Sequence, residues 1–187
     1  MRLFPTFGLS ILNGWLLLGA YFLGLILNVL TFPRDKRRKL FLEPSYPKGD
    51  WRGVVLLLGR LAAISFVTSM IFTPLQTGSL FLYVGLAIYL LGFAVVMLSL
   101  IEYRRAEADR PVVHGIYAVS RNPQWVGLVL VFAGAAIAVA TWLQLGLLAV
   151  LVVAYHFQIL LEERICLGLY VKDYQACMNR VPRYLGF

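Results

Sequence analysis

The chain has 187 residues, of which 60% are hydrophobic and 14% charged, and its mean hydropathy is +0.79. A soluble domain is about 45–50% apolar, so this composition excludes an ordinary soluble globule and argues for a membrane protein. The net charge of +8 is explained by the positive-inside rule, and no nucleic-acid partner is expected.

Five apolar segments follow one another. The first runs from Phe7 to Leu30, broken only by Asn13 and Asn28; it is long and lacks an A-x-A-like cleavage site, so it reads as a mature membrane span. Its glycines, Gly8, Gly14, Gly19 and Gly24, lack four-residue spacing and say little about helix packing. A basic connector, Thr31 to Arg52, carries Arg34, Lys36, Arg37, Arg38 and Lys39 and is expected among anionic headgroups. The second span, Gly53 to Thr73, contains Arg60, which can snorkel back to that face. The uncharged link Pro74 to Ser79 leads to a third span, Leu80 to Ile101, and then to a polar connector from Glu102 to Ser120 that includes Glu107, Asp109 and Arg110. A fourth span starts at Pro123 and ends near Ala140. Only Thr141 and Trp142 separate it from the fifth, Leu143 to Leu161, which predicts a tight helical hairpin. Glu162 to Phe187 forms a polar tail with interspersed aromatics. Cys166 and Cys177 have no metal-site spacing and are expected as free thiols.

Lysine and arginine fall unevenly. The connectors after spans one and three, with Arg121 and the tail, hold fifteen of them, whereas the opposite side holds only Arg2. This bias predicts an all-α polytopic protein of about five transmembrane helices with its N-terminus outside and its C-terminus cytoplasmic. One membrane domain is expected over 1–187, with two N-terminal spans and the basic connector in 1–79 and a core of the remaining spans with the cytoplasmic tail in 80–187. The host membrane would be the plasma or inner membrane in a prokaryote, or the endoplasmic reticulum in a eukaryote.

The stretch His114 to Trp125 gathers a ring nitrogen, hydroxyls, a guanidinium and an amide between two apolar spans. Asn122 precedes Pro123, so a helix can start there and leave its first N–H groups pointing outward. The hairpin sets this stretch beside the polar end of span five. On that end Tyr155 and Glu162 share one helical face, and His156 and Glu163 another. Two successive carboxylates at a membrane boundary cannot both face lipid, and Arg121 is their natural partner. The group reads either as a buried ion pair tying two helices together or as a pocket for a zwitterionic ligand. Other chemistries fail on inventory. The two histidines lack metal-ligand companions, and there is no G-x-S-x-G, P-loop or G-x-G-x-x-G. No metal is expected, and the spans lack the charge rows and broken repeats of a transporter.

Gly115-Ile116-Tyr117, Ser120-Arg121-Asn122-Pro123, Gly127, Glu162-Glu163, Tyr174 and Val181-Pro182-Arg183 together resemble the signature of the superfamily that includes isoprenylcysteine carboxyl methyltransferases and phospholipid N-methyltransferases. The resemblance covers about residues 85 to 187. It implies an S-adenosylmethionine-dependent membrane methyltransferase, most like an isoprenylcysteine carboxyl O-methyltransferase, with a phospholipid amine or small apolar thiol as other acceptors. The cofactor would lie in a cytoplasm-facing pocket roofed by the tail. His114, Gly115, Tyr117, Arg121, Asn122, Pro123, Trp125, Glu162, Glu163 and Tyr174 would hold it, and Arg121, Glu162 and Glu163 would serve catalysis. The lipophilic acceptor would enter from the bilayer, among membrane lipids. Four positions depart from the pattern: Asn122 stands where His is frequent, Trp125 where Tyr is usual, Val171 for Gly and Cys177 for a second tail Tyr. Asn122 keeps a donor and an acceptor but cannot act as a base. A non-catalytic scaffold with a degenerate pocket is the alternative of another class.

Overall fold

The computed structural model describes residues 1–8, 10–40, 46, 47, 49–106 and 111–185. Glu107, Asp109 and Arg110 of the polar connector lie outside the described residues, as do the side chains of Lys39 and Val171. Among those described, every regular element is helical: α1 (Trp15–Leu30), α2 (Arg34–Leu40), α3 (Trp51–Phe72), α4 (Leu80–Arg105), a 3-10 turn (Gly115–Ala118), α5 (Pro123–Val139) and α6 (Trp142–Arg180). The all-α expectation holds. Among the described residues, three helices are long and apolar enough to cross a membrane: α3, α4 and the Trp142–Leu169 part of α6. The apolar helices α1 and α5 have 16 and 17 residues, or roughly 24–26 Å at about 1.5 Å per residue, short of a hydrocarbon core of about 30 Å.

Element ends differ from the sequence reading in four places, each for a local reason. The first apolar run is helical only from Trp15. Before it, Asn13 is fully buried and donates to the carbonyls of Gly8 (2.7 Å) and Ile71 (3.0 Å), which ties Gly8 and Asn13 to the end of α3. The basic connector contains α2, and α3 begins at Trp51 because the Asp50 side chain accepts from the Arg52 N–H as an N-cap. α4 continues past Ile101 to Arg105, where basic residues suit the negative end of the helix dipole. The largest difference is the tail. α6 runs unbroken through Glu162 to Arg180, 39 residues or roughly 58 Å, and only the residues after it fold back.

Helices α4 and α5 pack backbone to backbone. A Cβ on Gly92 would lie 2.6 Å from the Val131 nitrogen and 2.7 Å from the Gly127 oxygen, and one on Gly127 would lie 2.9 Å from the Val96 nitrogen. Gly85 and Gly134 repeat this contact two turns away, so glycines seven apart on each helix form the seam. Gly92→Ala must therefore push two backbones apart. We expect it to destabilise the protein by about 1–3 kcal/mol, read as thermal unfolding in detergent. The other close pair is α3 with α6, where Gly59 faces Ala154. The α5–α6 hairpin turns on Ala140, at φ 52°, and Thr141, close to the expected position. Its two helices nevertheless spend their main contacts on α4 and α3, which leaves a cleft between them.

The bundle has two chemically distinct ends. At one end, the Arg2 N–H bonds the Ala140 carbonyl, the Gln76 N–H bonds the Ala138 carbonyl and the Gly14 N–H bonds the Thr73 carbonyl. At the other, Lys36 on α2 donates to the carbonyls of Arg104 and Ala106, and Arg104 reaches Thr31. The basic first connector and the end of α4 thus come together, apart from the uncharged loop.

Candidate functional site

The site is built where α5 begins and α6 passes its middle. Pro123 opens α5, and Asn122 before it is extended at φ −127°. The residues after α6 return to this point: the Arg121 N–H donates to the Pro182 carbonyl (3.0 Å), and Ser120 Oγ donates to the Arg183 carbonyl (3.1 Å). The S-R-N-P and V-P-R motifs, far apart in the chain, are therefore two sides of one junction.

Glu163 is its centre. It is 4% exposed. One carboxylate oxygen receives Arg121 Nη2 at 3.3 Å and Asn122 Nδ2 at 3.2 Å; the other receives Arg183 Nε at 3.0 Å and Nη2 at 2.8 Å. The ion pair expected between Arg121 and the glutamates is present, and it goes to Glu163. Arg183, which the sequence offers only as part of a motif, is its second cation.

Glu162 lies about 100° further round the helix and has different neighbours. Its carboxylate accepts from the Trp125 indole N–H at 2.9 Å and from Gln158 Nε2 at 3.3 Å. Among the described residues no cation pairs with it. Gln158 is one turn away, a neighbour legible from i, i+4 spacing. Arg121 Nε, beside this unit, is buried without a hydrogen-bond partner.

Tyr117 and Tyr174 are buried nearby. The Tyr117 hydroxyl accepts from Gln124 Nε2 at 3.0 Å, and burial pushes both hydroxyls up, so they remain protonated donors. Burial also raises the Cys177 thiol, which makes it an inert packing residue. His114 joins a different group: its Nε2 meets Glu102 Oε2 at 3.2 Å, and its side chain is more than half exposed. Gly115 sits under this pair at φ 59°, where a Cβ would lie 2.8 Å from Glu102 Cδ, so glycine is required on both counts.

Behind Trp125 the α5–α6 cleft opens into an apolar cavity of about 470 Å³. Val126, Val129 and Leu130 line it from α5, and Val152 and Ile159 from α6. Its polar end consists of Trp125, Tyr155, His156 and Tyr184, with the Trp125 and Tyr155 rings 4.8 Å apart. Helical spacing puts His156 on the Glu163 face without giving it a role, and the sequence gives Tyr184 none. Their meeting at 2.8 Å depends on the return of the last residues.

No curated protein and no solved structure matches the chain. Residues 102–173, under half its length, do match a family model, and that stretch holds Arg121, Asn122, Trp125, Glu162 and Glu163. The family is described as phospholipid methyltransferase, and this match is consistent with the membrane methyltransferase superfamily that the motifs resemble.

Proposed function

We propose that the protein transfers a methyl group from S-adenosylmethionine to a lipophilic acceptor at the junction of α5 and α6. The observation that carries this reading is the division of labour between adjacent glutamates. Glu163 is fully engaged by Arg121, Asn122 and Arg183, whereas Glu162 has neutral partners only, and Arg121 Nε is buried beside them without a partner. These groups fit the cofactor. Arg121 has a free N–H for a ligand carboxylate, and Glu162 can accept from an ammonium or from hydroxyls. When bound, the cofactor supplies an electrophilic methyl group on a sulfonium. The chain's part is to hold both reactants in line and to keep water out. The apolar cavity beyond Trp125 suits the acceptor's hydrocarbon, with entry from the bilayer. The cofactor-binding groups alone accommodate a carboxylate, an amine or a thiol as the methylated group.

The fully satisfied Glu163 unit also suits a second reading, a scaffold whose polar cluster only ties α6 to α5. Labelled-methyl transfer from S-adenosylmethionine into fractionated membrane extract separates the two. The enzyme reading predicts label in a lipid-soluble fraction, and a scaffold leaves none. The cytoplasmic placement of the site rests on the charge bias. Cysteines introduced at Arg38 and Thr77, with the native thiols blocked, should label from opposite faces of sealed vesicles; labelling from one face overturns the orientation.

A further inference from the structure

Resting on the methyltransferase reading, the geometry at the cavity's polar end points to the acceptor class. We propose that His156, oriented by Tyr184, takes a proton from the acceptor, which is therefore an amine or thiol on an apolar chain rather than a carboxylate.

Among the described residues, the cavity lining contains no lysine or arginine. A carboxylate brought there would lose water without gaining a cation, a costly transfer. It would also leave His156 idle, since an anion needs no base. A thiol, or an amine in its neutral form, has the opposite requirements. The nucleophilic atom must shed a proton, and a partly buried imidazole sits at the polar mouth of the cavity. Tyr184 engages Nδ1 at 2.8 Å, so Nε2 is the ring nitrogen left for a ligand. In the tautomer whose Nδ1–H donates to the Tyr184 oxygen, Nε2 carries a free lone pair. Trp125 links this corner to the candidate cofactor site, because its ring lines the cavity while its N–H holds Glu162.

The step balances. The acceptor's lone pair forms the new bond to the methyl carbon as the sulfonium carbon–sulfur bond breaks, and that bond's electrons remain on sulfur as a neutral thioether. The acceptor's proton goes to His156 Nε2. Few groups compete for it. Tyr184 faces His156 from the C-terminal segment, Phe157 packs at its side on α6, and α5 contributes the Trp125 indole and no ionisable side chain. On α6, Glu163 is bonded to Arg121 and Arg183, and Glu162 accepts from the Trp125 indole and Gln158.

The test uses the purified full chain in detergent with dodecylamine, dodecanethiol and dodecanoate as probes. The first readout is equilibrium binding without cofactor, in which dodecanoate should bind at least about tenfold more weakly than dodecanethiol, about 1.4 kcal/mol. The second is labelled-methyl transfer, expected for the amine or the thiol and absent for dodecanoate. His156→Gln should lower transfer about 100-fold, leave cofactor affinity unchanged and abolish the fall of the rate at acid pH. Tyr184→Phe should cause a smaller loss of the same kind, and it decides the matter if His156→Gln does not fold. Methylation of dodecanoate, transfer to neither proton-bearing probe, or variants with the wild-type pH profile would each overturn the proposal. Failure of the wild type to bind S-adenosylmethionine would instead defeat the underlying reading, and the cofactor-free ranking of probes would then test the cavity's preference by itself.

Discussion

Glu163→Ala is expected to cost about 3–5 kcal/mol of stability, more than any other substitution in this polar cluster. Two guanidinium groups, Arg121 and Arg183, and the Asn122 amide converge on this one carboxylate, and Arg121 is almost wholly buried. Removing the anion leaves a desolvated positive charge with nothing to offset it, which costs more than the pair contributes when whole. The effect should appear as a large drop in unfolding temperature in detergent. Glu162→Gln should cost far less, since an amide still accepts from Trp125 and no ion pair is lost. Equal destabilisation by the two substitutions would remove the distinction between a structural and a ligand-facing glutamate.

The second large effect falls on Arg121. Its Nη2 reaches Glu163 while its Nε is buried and unpaired, so the guanidinium leaves one N–H unused by the framework. A lysine can replace the contact to Glu163 but cannot present a second donor in a fixed plane. Arg121→Lys is therefore expected to weaken cofactor binding by about 1–3 kcal/mol, the scale of a charge-assisted hydrogen bond, with a smaller loss of stability. An unchanged affinity would assign Arg121 wholly to the Glu163 unit.

Much of this arrangement is legible in the amino-acid sequence. The apolar runs place α3, α4, α5 and α6, Pro123 marks where α5 starts, and the short hairpin correctly brings Arg121 to a glutamate. What escapes has physical causes. A polar tail after a span reads as loose chain, yet nothing between Glu162 and Arg180 breaks a helix: no proline occurs there, and Gly168 is a single weak point. Asn13 counts as a tolerated polar residue in a span, but its amide prefers two backbone carbonyls, so the helix begins only at Trp15. The α4–α5 glycine seam has seven-residue spacing on both helices, a pattern that becomes meaningful only when the two helices are paired. The His156–Tyr184 contact and the role of Arg183 depend on where the chain turns after α6. Side-chain chemistry alone does not place that turn.

Whether Glu162 faces a bound cofactor can be decided by calorimetric titration of the purified protein with S-adenosylmethionine, run in parallel on Glu162→Gln. We expect saturable binding by the wild type, weakened at least about tenfold in a Glu162→Gln protein that unfolds near the wild-type temperature. No binding by the wild type, or equal binding by both, would refute a cofactor site built on this glutamate.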